Sequence, residues 1–168
     1  MKKYTSATDF VNLKQNFSYF GLAGCGVDTV RRALCLKRSD ACPRKIAMHM
    51  DTRIAVIRHP IKRLMSAYNH SGLSWQDFWK KTKNDPTWCE ETTPYWVSLG
   101  NDYTELYTLE KMNNWIPLLS HRYSLPAAVW MGKRNSKIPS KLPSGVDQEI
   151  RSVYAADLAL WQRTEDKP

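Results

Sequence analysis

The chain has 168 residues, enough for one domain with a core of its own, which excludes a small scaffold that depends on disulfide staples. Hydrophobic residues are 42% and charged residues 24%, the balance of a soluble globular protein. A formal net charge of +9 favours an anionic partner: a nucleotide, a nucleic acid, a sulfated or phosphorylated substrate, or a membrane surface.

The opening "MKKYTSATDF" has two lysines and no apolar run behind them. No signal peptide and no transmembrane segment are expected, so the expected compartment is the cytoplasm. "FSYFGL" (17–22) is apolar and aromatic and is followed by glycines, which predicts a buried strand. "VDTVRRALCL" (27–36) places Val27, Val30 and Leu34 at helical spacing, with Arg31 and Arg32 off that stripe. "KRSDACPR" (37–44) reads as a loop. "KIAMHM" (45–50) reads as extended chain leading into the core strand "RIAVIR" (53–58). Two residues between them are too few for consecutive parallel strands.

"HPIKRLMSAYNHSG" (59–72) is the clearest helix. Pro60 suits the first helical position, Ile61, Leu64, Met65 and Tyr68 form one apolar face, and Gly72 ends it. A second helix is expected from Ser74 to about Thr82. Ser74 with Asp77 resembles a capping box, and Leu73 with Phe78 a hydrophobic staple. Residues 84–101, with Pro86 and Pro94, read as irregular. "TELYT" (104–108) reads as a strand and 109–121 as a helix disturbed by Pro117. Residues 131–145 read as a basic loop. Residues 147–163 read as one closing helix with Ile150, Val153, Tyr154, Leu158 and Trp161 inward. The aromatics are mostly core, and some are candidates to line a cleft. Cys25, Cys35, Cys42 and Cys89 show no CxxC pair, so they read as free thiols, and no metal site is expected.

Alternation of strand and helix implies an α/β fold with a parallel sheet, whose ligands sit where strands end and helices begin. Two such junctions stand out. At the second, Arg58 closes a strand and Pro60 opens a helix, and Lys62, Ser66 and Asn69 share a helix face. Arg58 and Ser66 either grip one phosphate, as a forked charged donor and a hydroxyl, or simply cap the sheet edge and face solvent. At the first, Gly21, Gly24 and Gly26 precede a helix, and glycines allow backbone to approach a phosphate closely. It is not a Walker loop, for it has no GxxxxGK[ST].

"IAVIRHPIKRLMSAYNH" (54–70) resembles the 3′-phosphate-binding segment of carbohydrate-type sulfotransferases, roughly [FV]VRxPxxRLxSAY. Arg58, Pro60, Arg63, Leu64, Ser66, Ala67 and Tyr68 carry the match. "AGCGVDTVRRAL" (23–34) lies over the family's PKxGxTSxxRxL loop and keeps Gly26, Thr29, Arg32 and Leu34. Weaker echoes run through 105–119, 134–141 and 153–161, where Asp157 matches a frequent aspartate.

The resemblance implies a P-loop-like three-layer fold: a central, mostly parallel sheet flanked by helices, in a single domain spanning 1–168. It implies 3′-phosphoadenosine 5′-phosphosulfate (PAPS) as donor, adenosine 3′,5′-bisphosphate as product, and no metal. Gly24, Cys25, Gly26, Val27, Asp28 and Thr29 would cradle the 5′ end. Arg58 and Ser66, with Arg134 from the basic loop, would complete the nucleotide contacts. Two departures stand out. The family's lysine falls at Gly24, and Asp28, which either repels a bound phosphate or caps the helix, stands where Ser or Thr is usual. Arg31, Arg32, Lys14, Lys133 or Arg134 are the cations that could replace the lysine. His49 is the first candidate for the general base that takes the acceptor's proton, with Glu90 and Glu91 behind it. His59 either shapes the phosphate pocket or caps its helix, and His70 and His121 read as helix-end residues.

The expected activity is sulfuryl transfer to a hydroxyl or amine, with an acceptor pocket drawn from 72–101 and 131–145. The alternative is a member of the same fold that binds a nucleotide or a protein without transfer. Nucleic acid is not the expected partner, since no helix-turn-helix, zinc-finger or RNP signature accompanies the scattered charge.

Overall fold

The structure is a computed structural model, and it describes residues 8–126, 142 and 145–166. In chain order its elements are β1 (Asp9–Asn12), β2 (Phe17–Phe20), α1 (Val27–Ala33), a 3-10 turn (Arg38–Asp40), β3 (Ala41–Cys42), α2 (Arg44–Ala47), β4 (Thr52–Ile57), α3 (Pro60–Ser71), α4 (Trp75–Asn84), α5 (Tyr95–Ser98), β5 (Glu105–Thr108), α6 (Met112–Arg122), α7 (Asp147–Val153) and α8 (Ala155–Glu165).

The five strands form one sheet in the order β3-β1-β2-β4-β5. β2 pairs parallel with β4, Phe20 opposite Ala55, and β4 pairs parallel with β5. β1 pairs antiparallel with both β2 and β3. The sheet is therefore mixed, not mostly parallel. Little in the sequence signals this antiparallel edge, because β1, "DFVN", is only four residues long and begins on an aspartate. Its hairpin turn has neither Gly nor Pro, and Asn16 takes the left-handed conformation at φ 52° instead.

Both faces of the central strands are covered, as parallel pairing of apolar strands requires. Phe17 and Tyr19 of β2 and Ile54 and Val56 of β4 turn to one side, against Val30 and Leu34 and against Met112, Trp115, Ile116 and Leu119 of α6. Phe20, Ala55 and Ile57 turn to the other side, against Ala47, Tyr95 and Leu99. A third cluster joins α3, α4 and α7 through Leu64, Ala67, Phe78, Trp79 and Ile150.

α3 follows its sequence closely. Pro60 is at its first turn and Gly72 ends it at φ +68°. Ser74 caps α4: its Oγ accepts the Asp77 N–H at 3.1 Å, and Leu73 and Phe78 share the third cluster. Other expectations need correction. Residues 45–50 are not extended: Pro43 caps the α2 turn, its carbonyl accepting the N–H groups of Ile46 and Ala47, and the burial of Ala47 fixes it. The 37–44 loop holds the 3-10 turn and β3, and the irregular 84–101 segment holds α5. The closing helix breaks at Tyr154 into α7 and α8. Ile150 and Tyr154 are buried, Val153, Leu158 and Trp161 only partly, and Asp157 is buried in their place. Pro117 lies inside α6, which continues to Arg122. The basic loop lies outside the described residues apart from Leu142 and Gly145, so Lys133 and Arg134 have no described place. Among the described residues no helix is long and apolar enough to cross a membrane.

Candidate functional site

β2 and β4 run parallel, so the two junctions leave the same end of the sheet. They meet there. The Arg58 guanidinium donates from Nη1 to the Gly24 carbonyl at 3.3 Å. Tyr95 locks the base of this contact: its hydroxyl donates to the Arg58 carbonyl at 2.6 Å, accepts the Arg58 N–H at 3.1 Å and touches Cys25 Sγ at 3.6 Å. The Tyr95 N–H in turn donates to the Asp157 carboxylate, 3.0 Å from each oxygen. Burial pushes the Tyr95 hydroxyl well above its usual range. It pushes the Cys25 thiol up as well, so both stay neutral. Burial also lifts the Asp157 carboxyl to about 6, against the Tyr95 N–H and the Arg63 charge, which pull it down.

Arg63 is the brace of the loop. It is 2% exposed. Its Nε donates to the Ala23 carbonyl at 2.9 Å, Nη1 to Thr93 at 2.6 Å and Nη2 to Glu90 at 2.7 Å. Its guanidinium also lies 4.8 Å from the centre of the Tyr95 ring. One cation thus ties the first junction to the 90–93 turn. That turn is further held by the Tyr154 hydroxyl, which donates to the Thr92 carbonyl at 2.9 Å.

Gly24 sits at φ +74°, and a β-carbon there would lie 3.0 Å from Arg63 Cγ and 3.5 Å from Glu91 Cγ. Gly26 sits at φ +71°, and a β-carbon there would lie 3.0 Å from Leu109 Cδ1. These glycines satisfy backbone conformation and packing at once. Cys25 is fully buried beneath them. Gly26 is the N-cap of α1, so Asp28 is not a cap: it is exposed and pairs with Arg31 at 3.4 Å. Thr29 is exposed beside it, and Val27 packs on the first core cluster. Among the described residues the N–H groups of Gly26, Val27, Asp28 and Thr29 have no acceptor.

Of the cations considered as lysine replacements, Arg31 is buried and donates to the Leu36 carbonyl at 2.5 Å. Arg32 is exposed on α1. Lys14 lies in the β1–β2 turn, at the far end of the sheet.

Ser66 is half-buried on α3, and its hydroxyl has no partner among the described residues. Lys62 and Asn69 are exposed on the same face, Lys62 at 3.8 Å from Glu110. Glu110 also accepts the His59 N–H at 3.1 Å and Trp161 Nε1 at 3.3 Å. The His59 ring stands edge-on to Trp161 with centres 4.5 Å apart, and it makes no cap bond. Burial pulls its pKa down. His49 is not brought to this place. It is exposed, after α2, near the N-terminal end of β4. The six residues of β4 put roughly 20 Å of strand between it and Arg58.

The sulfotransferase family model matches residues 27–124, more than half of the chain. The chain belongs to the sulfotransferase family. Curated proteins and solved structures gave no match. The matched span of this sulfotransferase holds Arg58, Arg63, Ser66 and Glu91, whereas Gly24, Cys25 and Gly26 lie just before it. Family membership indicates sulfuryl transfer as the class of chemistry, and the family generally uses PAPS.

Sequence reading passed over Tyr95 and left Arg63 and Asp157 as motif matches without a role. Arg63 lies two residues past Ile61, about 200° around the helix, where a wheel predicts solvent. It is buried because the 90–95 segment covers that side of α3, which no periodicity within α3 reports.

Proposed function

We propose that the protein transfers a sulfuryl group from PAPS to a hydroxyl or amine acceptor, releasing adenosine 3′,5′-bisphosphate. The observation that carries this reading is the contact between Arg58 and the Gly24 carbonyl, which makes one site of two junctions of phosphate-binding character. The donors present suit such a nucleotide. The Ser66 hydroxyl has no partner among the described residues. Arg58 spends one described side-chain bond on Gly24 and keeps other N–H groups for an anion. The backbone of Gly24, Cys25, Gly26, Val27, Asp28 and Thr29 turns about two left-handed glycines, and four of its N–H groups have no acceptor among the described residues.

In this reading Arg58 and Ser66 hold the 3′-phosphate by charge and hydrogen bond. The 24–29 backbone holds the 5′ end, and Arg134 is a further candidate contact. PAPS supplies a sulfuryl group already activated by its anhydride link to phosphate. The chain's part is to orient that bond, exclude water and remove a proton from the acceptor. His49 takes no role in it. The partners are an anionic nucleotide and an acceptor reached from the 72–101 side.

A second reading has one observation in its favour. No charged side chain reaches from position 24 to the bridging oxygen, and loss of one such donor costs on the order of 10²–10³ in rate in comparable sites. A protein that binds the nucleotide without transfer would have the same geometry.

Calorimetry with adenosine 3′,5′-bisphosphate, run beside transfer from PAPS to a panel of acceptors, tests both. Binding with transfer supports the first reading, and tight binding without transfer the second. Arg58→Ala is expected to weaken binding by about 10–100-fold, as loss of a charged hydrogen bond does, and Ser66→Ala by less. Unfolding curves run alongside check that the fold is kept. Unchanged affinity in both variants would sink the site assignment.

A further inference from the structure

A sulfuryl transfer needs a group that accepts the acceptor's proton, and most candidates near the junction are committed elsewhere. Asp28 pairs with Arg31. Glu110 holds the His59 N–H and Trp161. Asp157 is buried on the Tyr95 N–H. His59 is packed against Trp161. Glu91 is different. Its Cγ lies 3.5 Å from the point where a β-carbon on Gly24 would stand, so the stem of its side chain runs beside the loop. It keeps access to solvent, with 20% of its side chain exposed.

Its position is also held fixed. The 90–93 turn that carries it is pinned at both ends by Arg63, through the Glu90 and Thr93 carbonyls, and the same guanidinium holds Ala23. Inside the turn the Thr92 hydroxyl donates to the Cys89 carbonyl at 2.9 Å. The charged groups recorded beside Glu91 are Arg63 and His70, both from α3. His70 Nδ1 is 3.9 Å from a Glu91 oxygen.

We propose that Glu91 is the general base of this site. This rests on the reading that residues 24–29 hold the 5′ end of PAPS, since only then does Glu91 stand beside the reacting sulfur. In the step, the acceptor oxygen forms a bond to sulfur. The bond from sulfur to the bridging oxygen breaks, and its electron pair leaves on the 5′-phosphate of adenosine 3′,5′-bisphosphate. The acceptor's proton passes to the Glu91 carboxylate and from there to water. The acceptor then approaches across the C-terminal end of α3 and the 90–93 turn, not across α8.

The test compares the full-length protein with Glu91→Gln, which keeps size and removes the basic oxygen. Adenosine 3′,5′-bisphosphate affinity is measured for both by calorimetry. The Glu91 carboxyl ¹³C resonance is followed in labelled protein as the same nucleotide is added. Transfer from PAPS to alcohols, phenols, sugars and amines is measured last. The expected result is nucleotide affinity within about threefold of the unmodified protein, a Glu91 resonance that moves on titration, and transfer lowered about 10²–10⁴-fold, the usual share of a general base. Transfer unchanged in Glu91→Gln overturns the proposal, and so does a Glu91 resonance that stays still while the nucleotide binds. Binding with no transfer by the unmodified protein overturns it as well. If the unmodified protein does not bind the nucleotide at all, the reading of the site itself fails first, and calorimetry alone reveals that.

Discussion

Gly24 shows how one residue can set the limits of a site. Its φ of +74° and the Arg63 Cγ atom 3.0 Å from a would-be β-carbon act together against any side chain. Reinstating the family's lysine is therefore not a simple restoration. Gly24→Lys must hold a left-handed non-glycine residue, at about 1–3 kcal/mol, and must displace the shaft of Arg63 as well. The expected outcome is a lower melting temperature by several degrees, at roughly 2–4 °C per kcal/mol for a chain of this size, with no gain in transfer. A variant as stable as the parent and faster in transfer would show that the loop can rearrange to seat the lysine. Arg63 itself makes the wider point. Its three described donors end on backbone carbonyls, so its charge is used to fasten the loop and the 90–93 turn together.

At the scale of elements, the site is held by what packs behind it. α5 contributes Tyr95, whose hydroxyl holds both backbone polar groups of Arg58, and α8 contributes Asp157, which holds Tyr95 in turn. This relay makes stability depend on pH in an unusual direction. The Asp157 carboxyl is raised to about 6 from an ordinary 3.8, chiefly by burial. Between those values the folded chain binds more proton than the unfolded chain, so stability falls as pH rises from about 4 to about 6 and then levels off. Two units correspond to something on the order of 3 kcal/mol. Asp157→Asn keeps an oxygen for the Tyr95 N–H and carries no charge. Its stability relative to the parent is expected to climb across that window, read from urea midpoints at pH 4, 5, 6 and 7. Parallel curves for the two proteins would remove Asp157 from the account.

At the scale of the whole molecule, the net charge of +9 draws polyanions of every kind. Binding to mixed-sequence duplex DNA is expected to show no sequence preference and to fall by at least a hundredfold between about 50 and 200 mM salt. Sequence-selective binding that survived 200 mM salt would point to a nucleic-acid function after all.

The parts legible in the sequence were those decided locally. Pro60, the apolar face of α3 and Gly72 are set by neighbours within a few residues, as is the Ser74 cap of α4. The runs "FSYF" and "IAVI" are largely apolar because both of their faces are covered, so β2 and β4 could be read from composition. The motif around Arg58 is contiguous, so the sulfotransferase resemblance was visible before any fold was known. The rest depended on residues far apart in the chain. β1 is a strand because β2 and β3 lie beside it, and Ala47 is buried because the sheet has a second face. Arg63, Tyr95, Asp157 and Glu91 converge from α3, α5, α8 and a turn. Their burial and partners belong to the packing between elements, which no single segment encodes. His49 shows the same limit in reverse: six residues of strand put it at the opposite end of the sheet from Arg58, a distance that its place in the sequence did not reveal.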